Sequence, residues 1–241
     1  TLVRSDFEDS LTRRGVFLNE SQWRAWANAL ERQLSLIWGP PGTGKSHTLR
    51  AIALGALLNA EKQGRRLRVL VSTNNYTALD NVLLGLETEL RNTLDEDDYC
   101  IYRIQSYLRP NPPLTWSQDY PSLQNLVLNP RNPSTDIQNL LENLQNPEQQ
   151  IVVGCLPEQL HNLAILGASR PESPRLTIRP WFDFIIIDEA SQIDVATSTL
   201  ILSKRAPEGS CIIAGDDLQL PPIHQAEPPH NLETTVQSLY N

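Results

Sequence analysis

The sequence predicts an α/β fold in which helices cover both faces of a mostly parallel sheet. Short apolar runs, typical of buried strands, alternate with helical patterns along most of the chain. A glycine-rich turn separates the first run from the helix after it, and two acidic residues end a later run. At 241 residues, of which 40% are hydrophobic, the chain is long enough to bury a core of this kind.

The first half of the alternation is predicted from local patterns. Residues 1–33 form a helical lead-in, because apolar residues recur at helical spacing after a start at Asn19 or Ser21. Residues 34–108 form the first part of the α/β domain. Its predicted strands are residues 34–38, 69–72 and 101–104, and its predicted helices are residues 46–60 and 76–90.

Residues 109–150 differ from their surroundings in composition. They contain seven prolines among many Asn and Gln residues, and only residues 137–144 have helical periodicity. The segment is predicted either as an irregular accessory insertion or as a loop that is disordered or partly helical. Residues 151–241 then resume the alternation as the second part of the same domain. Its predicted strands are residues 151–153, 184–187 and 211–214, and its predicted helices are residues 157–166 and 195–202.

A phosphate-binding loop is the strongest local signal. Residues 39–46 read GPPGTGKS and fit the pattern G-x-x-x-x-G-K-[ST] between a predicted strand and a predicted helix. Glycines let successive N–H groups turn inward around phosphate oxygens, and the helix start adds its unpaired N–H groups. Lys45 can reach the outer phosphates, and Ser46 can ligate Mg²⁺. The predicted nucleotide-binding residues here are Gly39, Pro40, Pro41, Gly42, Thr43, Gly44, Lys45, Ser46 and the adjacent His47.

Two later strand ends are predicted at the same edge of the sheet, where ligands of open α/β sheets bind. One apolar run ends in Asp188 and Glu189, and another is followed by a polar turn that carries Gln219. We predict that Asp188 holds Mg²⁺, Glu189 polarises an attacking water, and Gln219 hydrogen-bonds the γ-phosphate or that water. With Lys45, these are the predicted catalytic residues. Taken alone, the segment around Gln219 also fits an ordinary Gly-Asp turn closed by Pro-Pro.

Three segments together resemble the motifs of a known family. Residues 39–46, 188–192 and 215–222 are similar to motifs I, II and III of superfamily 1 helicases. DEASQ followed by GDDLQLPP is typical of the 1B branch, which includes the nonsense-mediated-decay helicase and its relatives. Residues 18–22 resemble the family's Q motif, which implies that Gln22 contacts adenine; an amide can do so bidentately. A polar cap on the first helix is the alternative role for this segment.

Residues 71–81 resemble motif Ia, which in the family lies against the nucleic-acid backbone. The resemblance implies strand contacts from Ser72, Asn74 and Asn75, whose small polar groups suit phosphates and sugars. The alternative is an ordinary cap between a strand and a helix. Cys155 follows Gly154 where the family usually has Gly-Thr. A hydroxyl contact to the nucleic-acid strand is therefore not expected at this position.

The resemblance covers nearly the whole chain except residues 109–150. It implies the ATP-binding first motor domain of a nucleic-acid-dependent ATPase or helicase, with ATP, Mg²⁺ and single-stranded DNA or RNA as ligands. Such motors close ATP between two RecA-like domains, and motifs IV to VI of the second find no counterpart before Asn241. We therefore expect a second RecA-like domain as partner, and little hydrolysis by this chain alone. The alternatives are a nucleotide-dependent protein-interaction module of the P-loop class and a small-molecule kinase.

The composition excludes other classes of protein. A net charge of −8 excludes a small, wholly basic nucleic-acid-binding module. No apolar run approaches the roughly 18–20 residues of a membrane span, and the N-terminus has no signal-peptide pattern, so no membrane partner is expected. Cys100, Cys155 and Cys211 lie far apart, which favours a reduced, intracellular compartment and predicts a cytoplasmic protein.

Overall fold

Helices and strands alternate along the chain in the computed structural model, which describes residues 4–12, 16–108, 119–168, 181–216, 218–219 and 239. The helices are α1 (Arg4–Thr12), α2 (Glu20–Glu31), α3 (Lys45–Lys62), α4 (Tyr76–Arg91), α5 (Thr135–Gln145), α6 (Pro157–Ala168) and α7 (Val195–Leu202). The strands are β1 (Leu34–Trp38), β2 (Arg68–Ser72), β3 (Tyr99–Ser106), β4 (Leu123–Leu128), β5 (Gln150–Cys155), β6 (Phe182–Ile187) and β7 (Arg205–Gly215). Short 3₁₀ turns cover Glu96–Asp98 and Ala190–Gln192.

The strands form one sheet in the order β1-β7-β6-β2-β5-β3-β4. Every pairing between them is parallel. The predicted fold class, an α/β domain around a mostly parallel sheet, is therefore confirmed. Because all strands run the same way, their carboxyl ends share one edge, and the loops that follow β1, β2, β6 and β7 meet there.

Helices cover the two faces of the sheet separately. Alternate residues of β2 point to opposite faces, so Val69 and Val71 pack into one core cluster and Leu70 into the other. The first cluster is completed by the apolar residues of α1 to α4 and the second by those of α5 to α7. Burial on both faces explains why the central strands read as continuous apolar runs in the sequence.

The structure corrects the expectation of an irregular insertion for part of residues 109–150. Residues 123–128 form β4, which pairs with β3 and extends the sheet at its edge. Helix α5 buries Ile137, Leu140 and Leu144 against the second core cluster. The strand escaped prediction because an edge strand needs apolar residues on one face only, and Gln124 and Asn125 interrupt its pattern. Residues 109–118 and the connection at 170–180 lie outside the described residues.

Crossing a bilayer requires a long, apolar helix. Among the helices that the structure describes, none has both the length and the apolar character for it.

Candidate functional site

The loop between β1 and α3 depends on its glycines. Gly42 and Gly44 have φ values of 80° and 84°, in the left-handed region that side chains disfavour. A Cβ atom on Gly39 would lie 2.6 Å from the Thr43 hydroxyl oxygen, so this position is also restricted to glycine. Gly44 is the N-cap residue of α3 and has no side chain to bond the first N–H groups of the helix. The loop therefore presents a concave backbone and an open helix start, which together can bind an anion.

Lys45 folds back over this loop. Its Nζ atom donates to the carbonyl oxygens of Gly39 at 2.5 Å and Pro40 at 3.4 Å. The Thr43 hydroxyl donates to the same Pro40 carbonyl at 2.7 Å and holds the turn closed. Two neutral carbonyls are weak partners for an ammonium group compared with a phosphate anion. The lysine is thus positioned at the loop without an ionic partner among these contacts.

Asp188 follows β6 and is fully buried at the carboxyl edge of the sheet. Its carboxylate accepts hydrogen bonds from the Ser46 hydroxyl at 3.3 Å and from the Glu189 backbone N–H at 2.9 Å. Burial raises the pKa of Asp188 to about 6, although both hydrogen bonds and the positive charge of Lys45 oppose the rise. A cation beside Ser46 and Asp188 would stabilise the charged form of this carboxylate.

Glu189 has a left-handed backbone with a φ of 54°, the only such non-glycine residue among those described. The strain arises because the chain turns directly from β6 into the 3₁₀ turn Ala190–Gln192, of which Glu189 is the N-cap residue. Strained residues of this kind concentrate at functional sites because surrounding structure must hold them. Here the turn places a half-buried carboxylate beside the buried Asp188.

Gln219 lies against the same turn. Its Oε1 atom accepts hydrogen bonds at 3.4 Å from the Ser191 hydroxyl and at 3.4 Å from the Gln192 amide. Its backbone N–H donates to the Asp216 carbonyl at 3.1 Å, just beyond β7. Because the acceptor end of the amide is engaged twice, its donor end, Nε2, is the one that a ligand can use.

An open cavity of about 560 Å³ brings four of the predicted segments together. Its walls contain Pro41 of the glycine loop, Glu189 and Gln192 of the turn after β6, and Gln219. The start of α4 also lines the cavity, with Asn75, Thr77, Ala78 and Asn81. The cavity therefore joins the loop and the acidic turn to the segment resembling motif Ia.

Gln22 has the capping role that the sequence left as the alternative, and its side chain also reaches the glycine loop. It forms a capping box at the start of α2, in which its Oε1 accepts from the Asn19 N–H at 2.8 Å and its own N–H donates to the Asn19 side chain. Its Nε2 atom also lies 3.5 Å from the Thr43 carbonyl of the glycine loop. Gln22, Thr43, Lys45 and Trp38 all line a cavity of about 330 Å³. The capping bonds thus hold the amide at the edge of this cavity.

The three residues predicted to contact a nucleic-acid strand divide into exposed and buried positions. Ser72 is fully buried, and its hydroxyl has no hydrogen-bond partner among the described residues, so it is withdrawn as a strand contact. Asn75 is exposed and caps α4 by accepting the Ala78 N–H at 2.9 Å. Asn74 is exposed, and its Nδ2 donates to the Gln192 Oε1 at 3.2 Å.

The imidazole ring of His47 makes its contacts away from the glycine loop. Its Nε2 atom is 3.3 Å from the Phe17 carbonyl oxygen, and its Nδ1 is 3.5 Å from a guanidinium nitrogen of Arg50. Both contacts lie beside the first turn of α3. All nine residues 39–47 thus lie in the loop and the first turn of α3, but the His47 ring is directed to Phe17 and Arg50.

Sequence reasoning missed a buried polar network below the start of α4. Arg103 of β3 is fully buried and donates to both carboxylate oxygens of Asp80, at 2.7 and 3.2 Å. It also donates to Gln105 and Asn125, and its guanidinium lies 4.4 Å from the centre of the Tyr76 ring. The network ties the first turns of α4 to β3 and β4. Its one sequence signal is an arginine within an apolar strand, which requires a buried partner.

Fold and site together define the class of protein. It is a P-loop α/β domain of the RecA-like type, with a glycine loop after one strand and paired acidic residues after another. A family model described as an AAA domain matches residues 17–119.

The chain is also similar to several named proteins. It is 30% identical over 241 residues to the DNA-binding protein SMUBP-2 of Rattus norvegicus, covering 88% of this chain and 22% of the relative. It is 29% identical over 214 residues to the DNA replication ATP-dependent helicase/nuclease DNA2 of Gallus gallus, covering 86% of this chain and 17% of the relative. The chain therefore spans about a fifth of the length of these relatives.

The fold is also similar to that of solved structures. One of them is a nuclease-deletion mutant of the Type ISP restriction-modification enzyme LlaGI in complex with a DNA substrate mimic, with a TM-score of 0.57 and 18% identity. The match covers 82% of this chain and 17% of that enzyme. The solved structure thus shares the fold of this chain, and the sequence similarity to the named relatives extends over most of the chain.

Proposed function

We propose that this chain is the ATP-binding first motor domain of a nucleic-acid-dependent ATPase of the superfamily 1B branch. The observation that carries the proposal is the convergence of three separate segments at one sheet edge. The glycine loop, the acidic turn with the buried Asp188 and the strained Glu189, and the segment with Gln219 all meet there. The names of the relatives, which include ATP-dependent helicases and a DNA-binding protein, support the same function.

The loop and its neighbours would hold ATP by its phosphates. The backbone N–H groups of Gly42, Gly44, Lys45 and Ser46 would donate to the phosphate oxygens, and the Lys45 ammonium would exchange its two carbonyl partners for phosphate oxygens. Gln22 would contact adenine, because its Nε2 and the remaining lone pair of its Oε1 can bond the base while the capping box holds the amide in place.

Ser46 and Asp188 fit a magnesium ion. The two side chains are 3.3 Å apart and supply the hard oxygen ligands that Mg²⁺ prefers, and among the described residues the buried carboxylate has no cationic hydrogen-bond partner. When bound, the ion would neutralise charge on the phosphates. Glu189 would orient a water by accepting its hydrogen bond, and Gln219 would donate through Nε2 to the γ-phosphate or to that water.

A single strand of DNA or RNA is the proposed second ligand. Asn74 and Asn75 are exposed beside the open cavity and would contact its phosphates and sugars without reading sequence. A second RecA-like domain is the proposed partner that completes the site with an arginine finger, which contributes roughly 10³- to 10⁵-fold to hydrolysis rates in P-loop enzymes.

Replacement of Lys45 tests the nucleotide site. Lys45→Ala should weaken the binding of ATP and ADP with Mg²⁺ by about 10- to 100-fold, because a charge-assisted hydrogen bond contributes about 1.5–3 kcal/mol. Isothermal titration calorimetry measures the two affinities. Lys62→Ala is the matched control, since it removes an exposed lysine from the other end of the same helix. Equal nucleotide affinities for the parent chain and Lys45→Ala would contradict the proposed site.

A further inference from the structure

Tyr107, the residue after β3, is exposed on the face of the sheet that α4 covers. Its backbone N–H donates to the Leu128 carbonyl of β4 at 3.3 Å, so the ladder between the two strands continues past the end of β3. Because side chains alternate along a strand, Tyr107 lies on the same face as Arg103 and Gln105. Those two residues are buried, whereas 37% of Tyr107 is exposed. An aromatic side chain is therefore accessible at the carboxyl edge, just beyond the buried network of Arg103.

The register of the sheet places Tyr107 close to Asn75, which is proposed to contact a strand. Ser72 of β2, Cys155 of β5 and Ile104 of β3 form one row across the sheet. Asn75 and Tyr107 each follow this row by three residues, and both are exposed. Only β5 lies between β2 and β3, so the lateral distance between them is about 10 Å, twice the spacing of neighbouring strands. One nucleic-acid strand that crosses this edge can therefore contact both residues.

Direct contacts fix the backbone on both sides of Tyr107. The Ser106 N–H donates to the hydroxyl oxygen of Tyr76, the residue after Asn75, at 3.2 Å. The Leu108 N–H donates to the Ser106 hydroxyl oxygen at 3.2 Å. These bonds hold the end of β3 against the start of α4. Tyr107 therefore loses little backbone freedom when its ring binds a ligand.

A cation lies on the other side of Tyr107. Arg131 belongs to the turn after β4, the strand next to β3, and its N–H donates to the Asn129 side chain at 3.0 Å. Its side chain is exposed. The order along the edge is thus Asn75 after β2, Tyr107 after β3 and Arg131 after β4. Proteins that bind single strands without sequence preference combine such groups, with polar and positive side chains for the backbone and aromatic rings for the bases.

We propose that Tyr107 stacks on a base of the single strand that Asn75 contacts, and that Arg131 contacts a phosphate of that strand; the proposal rests on the function proposed above. An aromatic ring suits this role because every base presents a π-face, so stacking stabilises any sequence. Tyr107 supplies the affinity for bases that contacts with phosphates and sugars lack. The strand site then extends from the loop after β2 to the turn after β4.

Fluorescence anisotropy of a labelled oligonucleotide tests the stacking contact. The measurement uses oligothymidylate or oligouridylate, whichever the parent chain binds more tightly, at one fixed salt concentration. Tyr107→Ala should weaken binding by about 5- to 150-fold, the fold-change that corresponds to the loss of one base stacked on an aromatic ring. Tyr107→Phe keeps the ring and should stay within about twofold of the parent chain.

Phe17→Ala is the matched control for the aromatic ring. Phe17 is 69% exposed, and it lies beside the start of α3 after β1, at the opposite end of the strand order from β4. Its removal should change strand affinity by less than about twofold, because no base reaches it in the proposed path.

A strand without bases separates stacking from a structural role. An abasic oligomer of equal length keeps the phosphates and sugars but offers no base to Tyr107. The parent chain should therefore bind the abasic oligomer about 5- to 150-fold more weakly than the normal strand, and Tyr107→Ala should bind the two strands within about twofold of each other. A variant that only disturbed the fold would weaken both strands and keep the preference for bases.

Arg131→Gln tests the phosphate contact. It should weaken the normal and the abasic strand by the same factor, because both keep their phosphates. The slope of the logarithm of affinity against the logarithm of salt concentration should become shallower by about 0.7, the value for one phosphate contact on a single strand. Arg65→Gln, at an exposed position before β2 on the amino edge of the sheet, is the control and should keep the parent slope. An unchanged slope for Arg131→Gln would overturn this contact.

The outcomes separate the stacking role from the function on which it rests. Equal strand affinities for Tyr107→Ala and the parent chain, or an equal loss for Tyr107→Phe and Tyr107→Ala, would overturn the stacking role and leave the proposed function standing. A parent chain that binds neither oligothymidylate nor oligouridylate would overturn the strand ligand of the proposed function, and the stacking role with it. Calorimetry with ATP and Mg²⁺ checks that Tyr107→Ala keeps the parent nucleotide affinity, and Tyr107→Leu provides the same strand test if Tyr107→Ala does not fold.

Discussion

Two carboxylates near the carboxyl edge of the sheet, the partly buried Asp80 and the fully buried Asp188, have opposite surroundings. Asp80, at the start of α4, receives two hydrogen bonds from the buried guanidinium of Arg103. Asp188, after β6, receives one hydrogen bond from a hydroxyl and one from a backbone N–H, and neither donor carries a charge. Burial raises the pKa of both carboxyl groups, and the Arg103 charge counteracts the rise only at Asp80.

The comparison distinguishes a structural polar cluster from a ligand site. The Asp80 carboxylate is neutralised by a residue of its own chain, so it needs no further partner to stay charged. The Asp188 carboxylate lies at the centre of the proposed nucleotide site and gains a full counter-charge only from a bound cation. Variants should therefore change stability in opposite directions at the two carboxylates.

The largest expected effect concerns the structural pair. Arg103→Met should lower the free energy of unfolding by about 3–5 kcal/mol, because the partly buried Asp80 carboxylate loses its cationic partner and the side-chain oxygens of Gln105 and Asn125 lose a donor. Urea denaturation followed by circular dichroism measures the loss. Arg131→Met, at an exposed loop position, is the control and should change stability by less than about 0.5 kcal/mol.

A double variant sharpens this prediction. Arg103→Met with Asp80→Leu removes both charges, so part of the lost stability should return. If Arg103→Met alone were as stable as the parent chain, the pair would not be the structural element described here.

The next largest effect is an increase in the free energy of unfolding, and its size depends on pH. Asp188→Asn should stabilise the chain in the absence of nucleotide and Mg²⁺. The folded-state pKa of about 6 lies above the ordinary value of 3.8, so the parent chain has its full stability below pH 3.8 and loses it as the pH rises through 6. The variant keeps this stability, and its advantage should grow from near zero at pH 4 to about 3 kcal/mol at pH 8.

Urea denaturation across this pH range measures the difference between the two chains. Asp97→Asn removes an exposed carboxylate from the 3₁₀ turn before β3 and is the control, with no comparable pH dependence. A variant that is less stable than the parent chain at pH 8 would show that Asp188 is held by partners as Asp80 is.

The contrast also explains which parts of the molecule could be predicted from sequence. The glycine loop is encoded within eight consecutive residues, and Asp188 and Glu189 directly follow an apolar strand, so local patterns locate both. Asp80 and Arg103 are 23 residues apart on different elements, and only the packing of α4 on β3 brings them together. Local patterns contain no record of such a pairing.

Ser72 shows the same limit at a single position. It ends an apolar strand and begins a polar loop, so its residue type suggests exposure. In the sheet it lies between Ile187 of β6 and Cys155 of β5, and these neighbours bury it completely. Strand order, which no short pattern reveals, therefore decides whether its hydroxyl can reach a ligand.

The smallest expected effect separates capping from strand binding at Asn75. Asn75→Ala should lower the free energy of unfolding by about 1 kcal/mol, because the Asn75 side chain caps α4 through the Ala78 N–H. Ser134→Ala is the matched control, since Ser134 caps α5 in the same way through Ile137, on the opposite face of the sheet. Urea denaturation should show similar losses of stability for both variants.

Fluorescence anisotropy with an oligonucleotide should show about twofold weaker binding for Asn75→Ala alone, which is the effect of one exposed hydrogen bond. Equal strand affinities for the two variants would leave Asn75 with the capping role only, and the strand contact would then rest on Asn74.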